Sequence, residues 1–579
     1  MMQLLNNVRL AQSVVRQHLT DDPVILFLQL SRRLPSAVLP LAKCLCRWAP
    51  KNSTSAAVMF AALAAGDEAD VERRLRLAAD GPVEGDRARR LADVALAANL
   101  PAVSDVLLAK AGTAQHVKQA RARRLWYDGD VSEAVAALDG SGAAGLRQRA
   151  RLAAEAAILT NASPSLERRP YAPVPGRILH LLTNSLPHTA SGYAQRSHST
   201  LLAQQEAGWD VLAVTRMGYP VQVGKLLAKT MDTVDGIRYQ RLLPAKMAHT
   251  IDARLQQQAE ELLAVALVFK PSVLHTTTHY VNGLVVRAVA EALGIPWVYE
   301  VRGQLADTWA STRGPEARNS EKYRLFQSRE AEVMQDADLV LTLGTAMKAN
   351  IVAARIPENR VIIAPNAVGG NFLSEPLDKA SARREIGLAE DGQFIGTVSS
   401  LVPYEGIEDL LAAFLLLAED MPQLRLLIVG DGSSMPSLQI QAQRSGYADR
   451  IVFTGRVPRS QTALYHQALD VFVVPRKDLE VTRSVTPLKP VEAMASARPV
   501  VASDLPALAE IVEDRVTGRL ATAGDPASFA AAVRELLSDA PLAAALGAAS
   551  RGRVLRERTW AANAVALARE LEMLGVTIR

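Results

Sequence analysis

Cysteine is almost missing from this chain: Cys44 and Cys46 are the only two in 579 residues. With one residue between them they suit neither an ordinary disulfide nor a four-ligand zinc site, so disulfide-stapled classes fall away and a reducing compartment is expected. Aromatic residues contribute only 5%. Long apolar runs are missing as well, since none reaches the roughly 20 residues that span a bilayer. The first residues lack the basic, apolar and small-residue order of a secretory signal, which makes a cytoplasmic protein the expectation. Charge of one sign is scarce too: 65 Lys and Arg stand against 60 Asp and Glu, a net charge of +5. So small an excess reads as a solvated surface, and nucleic acid is not an expected partner.

What is present is an Ala- and Leu-rich chain, 49% hydrophobic and 22% charged, the profile of a globular protein. Single cores stop growing at roughly 250–300 residues, so about three domains are expected. From about 35 to 160 helix formers dominate, broken at Ala65-Gly66-Asp67, Ala98-Asn99-Leu100 and Asp128-Gly129-Asp130. Breaks about 30 to 34 residues apart suggest helix-turn-helix repeats of the tetratricopeptide type. The large aromatic positions of that repeat are mostly missing, so an irregular bundle fits nearly as well. Ahead of it, Val24-Ile25-Leu26-Phe27-Leu28 beside Ser31-Arg32-Arg33-Leu34 suits either a membrane surface or packing on the next helices.

The stretch from Ser163-Pro164 to Pro175-Gly176 is rich in proline and closes an all-α extension over 1–165. Beyond it, 178–182 reads as a buried strand, Gly192 opens a helix, and 210–214 is the next strand, a parallel βαβ unit. The alternation continues through 273–275, 297–300, 339–341 and 361–363. It then restarts with 394–398, 426–429, 451–453, 471–474 and 499–502. The expected fold class is therefore α/β, with two tandem Rossmann-like domains over 170–368 and 369–555 and a last helix in 556–579 crossing back to the first. A ligand belongs in the crevice between them.

The most informative stretch is Thr486-Pro487-Leu488-Lys489-Pro490-Val491-Glu492-Ala493-Met494-Ala495, which follows a strand and opens a helix. Free N–H groups at a helix start suit a phosphate, and Lys489 adds a full charge there. Glu492, one turn on, can accept both hydroxyls of a ribose; as a plain first-turn partner of the helix dipole it is equally ordinary. Three more pieces lie in order on strand ends: Pro365-Asn366-Ala367, Val429-Gly430-Asp431-Gly432 and Phe453-Thr454-Gly455-Arg456-Val457-Pro458. From about Ile178 onward the chain thus resembles retaining glycosyltransferase family 4, with its two-domain GT-B architecture, in a branch with a Thr-Pro-Leu-Lys-Pro-x-Glu-Ala-Met-Ala motif.

The resemblance implies transfer of a sugar, with retention, from a nucleotide-diphosphate sugar to a hydroxyl of a glycan or lipid-linked acceptor. Cell-surface polysaccharide assembly at the inner face of the membrane is the implied setting. It also implies that Glu492 binds the donor ribose and that Arg456 and Val457 lie against the base. Gly430 and Gly432 would let backbone approach the donor, although an ordinary strand-to-helix turn explains them too. Three positions depart from the family: its diphosphate-binding Arg and Lys fall on Ser400 and Glu405, and the first Glu of its paired glutamates falls on Ser484. A departing diphosphate needs a cation. Lys489 and Arg476 are assigned to it, with Arg483 as a further candidate and Thr486 and Ser400 beside them on the donor side. No cofactor and no metal are expected; Asp336-Ala337-Asp338 imitates a metal motif at a helix-strand junction.

In the first of the paired domains, Ser191-Gly192-Tyr193-Ala194-Gln195-Arg196 resembles the family's glycine-bearing loop that faces donor and acceptor. Arg196 and His198, one turn along that helix, read as exposed polar positions. For the family's sugar-contacting His, His279 is preferred over His275, which ends a strand; it joins Lys489 and Glu492 as the catalytic set. Glu300 and Arg302 are acceptor candidates with Gly192 and Arg196, or simply a side-chain pair. The helical extension is expected to meet a protein partner or a membrane surface. An alternative of another class is a catalytically silent scaffold acting through its helical repeats, and a third reading is a soluble sugar-phosphate glycosyltransferase.

Overall fold

The computed structural model describes residues 2–21, 50, 53–65 and 67–578; Cys44, Cys46 and the apolar and basic stretch from Val24 to Leu34 lie outside them. Helices follow one another from Ala56–Ala65 to Ala143–Thr160, and Leu75, Leu91 and Leu107 pack between them. Asp67 caps Glu68–Asp80 by accepting from Asp70 N at 3.0 Å.

This extension is fastened to the first α/β domain by cations and rings. Lys322 Nζ lies 4.8 Å from the Trp126 ring centroid and 5.4 Å from that of Trp309, and the Arg313 guanidinium covers Tyr127 at 4.8 Å. Nearby, Ser132 N donates to Glu321 Oε2 at 2.7 Å. Gly129 ends the helix Val117–Asp128 with φ of 96° and packs so closely that a Cβ there would stand 2.5 Å from Ser320 Oγ.

The first sheet contains β1 Arg177–Leu182, β2 Asp210–Thr215, β3 Met231–Val234, β4 Ile237–Arg241, β5 Val273–Thr277, β6 Trp297–Val301, β7 Leu339–Thr342 and β8 Val361–Ile363. Their order is β3-β4-β2-β1-β5-β6-β7-β8, parallel except for the β3–β4 hairpin. The second sheet contains β9 Gln393–Val398, β10 Leu424–Val429, β11 Ile451–Gly455, β12 Val471–Val474, β13 Val500–Ser503 and β14 Gly518–Ala521, in the order β11-β10-β9-β12-β13-β14. The strands are near-continuous apolar runs because helices cover both faces. The result is two doubly wound domains behind a helical region, as the alternation of strands and helices indicates.

In each sheet the chain winds to one side and returns on the other, which puts the switch points between β1 and β5 and between β9 and β12. The carboxyl ends of the two sheets meet: Thr486, beyond β12, donates through Oγ1 to Leu343 O, just past β7, at 3.4 Å. The last helix, Trp560–Met573, buries Leu567 and Leu571 in the core of the first sheet. Among the described residues no helix is long and apolar enough to cross a membrane.

Candidate functional site

The residues expected on the donor side lie beyond the carboxyl ends of β9, β10, β11 and β12. Arg476 follows β12 after Pro475 and is 6% exposed. Its guanidinium is taken up by both oxygens of Glu405, at 3.2 and 2.7 Å, and by Val485 O at 2.8 Å. Arg483 is drawn to the surface carboxylate of Asp478. Ser400 is exposed at the start of the loop that leaves β9. Lys489 opens the helix Lys489–Ala495, half-buried and without an ion pair among the described residues.

Glu492 lies one turn further on. His466 Nε2 is 3.5 Å from its Oε2, and His466 is fully buried. Burial alone would raise the Glu492 carboxyl, but His466, Lys489 and Arg459 outweigh it and hold the group below its usual range. The carboxylate is thus charged at neutral pH and available to accept hydroxyl donors. Arg459 also reaches across the cleft, donating to Ser199 Oγ of the first domain at 3.2 Å. His466 and Arg459 carry no sequence motif; their role appears only once the helix Arg459–Gln467 is packed against Lys489–Ala495. Arg456 is 82% exposed and 3.6 Å from Asp431, while Val457 packs partly on the core of the second domain.

Several expectations need correction. Gly430 has φ of 132°, and a Cβ there would meet Ser399 O at 1.8 Å; Gly432 has Leu401 O at 2.2 Å in the same sense. The neighbouring loop, not a ligand, fills the space these glycines leave. Thr486 is 1% exposed with its hydroxyl directed to Leu343 O, and its carbonyl accepts from Asn366 Nδ2 at 2.8 Å, so it joins the domains rather than presenting a donor contact.

Arg196 and His198 are not exposed but 5% and 3% accessible. His198 bonds Tyr239 OH at 2.7 Å and Asp235 at 2.9 Å, pinning the β3–β4 hairpin. Arg196 donates to Glu300 at 2.9 and 2.6 Å, to Ala364 O at 2.7 Å, to Pro365 O at 3.1 Å and to Asn366 Oδ1 at 2.9 Å, with the Trp560 ring 5.2 Å away. Arg302 takes the other Glu300 oxygen at 2.6 Å. Burial would raise Glu300, yet Arg302 and Arg196 hold it well below the carboxylate range. Arg196, Glu300 and Arg302 therefore form a buried network behind residues 364–366, with the Arg196 and Glu300 groups committed to one another and to the main chain. Gly192, by contrast, is exposed, with no atom within 4 Å of a Cβ built on it.

His279 caps the helix Tyr280–Leu293 through Nδ1, which accepts from Val281 N at 3.3 Å, and its ring packs on Tyr280 and Phe326. Burial pushes it down to about 4, so it is neutral at pH 7. No contact among the described residues joins it to Lys489 or Glu492, which belong to the other domain. His275 is fully buried, stacked on His180 with ring centroids 4.4 Å apart. Of the motif that imitates a metal site, Asp336 is paired with Arg287 and Asp338 accepts from Trp297 N at 2.9 Å.

Comparison with known proteins agrees with this geometry. The model described as "Glycosyl transferase 4-like domain" matches residues 191–367, and that described as "Glycosyl transferases group 1" matches 392–539. A GDP-mannose-dependent alpha-(1-6)-phosphatidylinositol monomannoside mannosyltransferase of Mycolicibacterium smegmatis is 31% identical over 236 residues, 40% of this chain and 62% of that protein. The chain thus spans about three-fifths of the length of that relative. Sucrose-phosphate synthase from Thermosynechococcus elongatus superposes with a TM-score of 0.57 at 22% identity, covering 69% of this chain and 99% of its own. HepE from Anabaena, in complex with UDP, superposes with a TM-score of 0.54 at 18% identity, over 69% of this chain and 100% of its own. With both models in tandem on two facing parallel sheets, the chain belongs to the GT-B glycosyltransferases of family 4.

Proposed function

We propose that this protein is a retaining glycosyltransferase that takes a sugar from a nucleotide-diphosphate sugar and places it on a hydroxyl of a glycan or lipid-linked acceptor in cell-surface polysaccharide assembly. The observation that carries the reading is the Glu492 carboxylate, held ionised beside Lys489, His466 and Arg459 where the two domains face each other. Glu492 holds the ribose hydroxyls and Lys489 meets the charge that develops on the departing diphosphate. Arg456 and Val457 flank the base, Ser400 and the Arg476 loop border the diphosphate, and His279 serves the sugar hydroxyls from the first domain. The leaving diphosphate itself guides the acceptor hydroxyl to the same face of the sugar. The mannosyltransferase relative is GDP-mannose-dependent by name and HepE was solved with UDP, which supports a nucleotide donor.

Because Lys and Arg meet the phosphate charge in this reading, turnover proceeds without a divalent metal; complete loss of activity in chelator with rescue by magnesium or manganese would refute that part. Calorimetry with UDP- and GDP-sugars tests the whole. Lys489→Ala should weaken binding roughly tenfold, the value of one charge-assisted contact. The charge-neutral Arg476–Glu405 pair favours a second reading, a catalytically silent scaffold working through its helices. No nucleotide binding by the intact chain would decide for it.

A further inference from the structure

Beside the cleft, the helices Leu305–Ala310, Glu321–Asp336 and Thr345–Ala353 enclose a groove of about 710 Å³, closed on one side by Glu480 of the second domain. It touches the second domain at one further point. Asn350 on its lining donates to Ser484 Oγ at 3.0 Å, and Glu480 lies one turn before Ser484 on the same short helix.

The floor of the groove is apolar around Val301, Met334 and Ile351, but two polar atoms are buried there without a partner, Glu330 Oε1 and the Tyr299 hydroxyl. Native structures rarely leave buried polar atoms unmatched, and a ligand hydroxyl would satisfy both. Burial, with Asp307 adding to it, pushes Glu330 up to about 8, so at neutral pH it is mostly a carboxylic acid able to donate as well as accept.

The rim is cationic. Arg318 is balanced by Asp307 at 3.6 Å and Glu480 at 3.7 Å. Arg324 and Arg355 also line the groove, exposed and without an ion pair among the described residues. Guanidinium groups left unpaired above an uncharged, hydroxyl-seeking floor fit an anion with hydroxyls behind it.

We propose that this groove is the acceptor site and that the acceptor is phosphorylated, its hydroxyls at Glu330 and Tyr299 and its phosphate at Arg324 and Arg355. The word acceptor rests on the donor reading above; the binding of a phosphorylated, hydroxyl-bearing molecule does not. Its source is either a free sugar phosphate or a phospholipid headgroup.

The test uses the full chain, titrated with glucose 6-phosphate, with neutral methyl α-glucoside, and with vesicles of phosphatidylinositol or of phosphatidylcholine. Glucose 6-phosphate or the phosphatidylinositol vesicles should bind and the neutral partners should not; which of the two binds more tightly separates the sources. Arg324→Gln with Arg355→Gln should weaken that binding roughly tenfold or more while leaving UDP and GDP titrations unchanged. Anion binding indifferent to the double variant overturns the proposal, as does a protein that binds nucleotide but neither anionic probe. Anion binding through the two arginines without nucleotide binding overturns the donor reading alone.

Discussion

Arg476 grips both oxygens of the Glu405 carboxylate, from Nε at 3.2 Å and from Nη2 at 2.7 Å. The side chains are 8% and 12% exposed, so the pair sets a neutral unit beside the proposed diphosphate position. Glu405→Gln keeps an acceptor for the guanidinium and removes the charge. Nucleoside diphosphate should then bind several-fold tighter, because a nearby negative charge has gone. Weaker binding in calorimetry would show that the carboxylate orients Arg476 rather than masking it.

Glu330 makes stability depend on pH. Its folded value is pushed up to about 8 from 4.5, so the folded state holds the proton more tightly than the unfolded chain. The associated stability is fully present below 4.5 and is lost as pH rises toward 8. Glu330→Gln should flatten this decline, and melting curves across the range should show the variant gaining on the parent at alkaline pH by a few degrees. Parallel curves for the two proteins would count against a buried, protonated Glu330.

Arg196 braces the chain crossing at Ala364, Pro365 and Asn366 and balances Glu300 from one side. Arg196→Met leaves Glu300 buried with only Arg302 as its close cation. A loss of about 3 kcal/mol in denaturant unfolding is expected for a broken buried pair. Small-angle scattering should report a changed domain angle, since Asn366 also holds the Thr486 carbonyl.

Trp126→Ala removes one of the two rings around Lys322. About 1 kcal/mol of the attachment should go with it. Limited proteolysis should then cut faster between the helical region and the first sheet; an unchanged rate would mean that Ser132 and Glu321 suffice to hold the two together.

The doubly wound architecture was legible because its strands are short apolar runs set between helical stretches, a pattern that burial on both faces imposes. The β3–β4 hairpin was missed although Asp235-Gly236 is a strong turn signal, with φ of 49° and 83° as such a turn requires. Met231 to Val234 alternate with exposed positions on the sheet edge, so the apolar run was too weak to read. The same hairpin explains the misreading of His198: nothing local reveals that Asp235 and Tyr239 will cover it. The charge partners of the site were hidden for a related reason. Arg196 and Glu300 stand 104 positions apart, one on the helix Gly192–Glu206 and one on β6, and Arg476 and Glu405 stand 71 apart beyond β12 and β9, so only the tertiary fold brings each couple together.

Gly406 and Gly430 lace the loops at the carboxyl edge of the second sheet, for a Cβ on Gly406 would sit 1.9 Å from Pro475 O and one on Gly430 1.8 Å from Ser399 O. Even a methyl group at either would drive one strand end out of line, whereas the open position at Gly192 can tolerate it. The seat beneath the proposed donor is thus closely packed in its main chain, so a change of sugar or base is expected to come from the side chains around that frame.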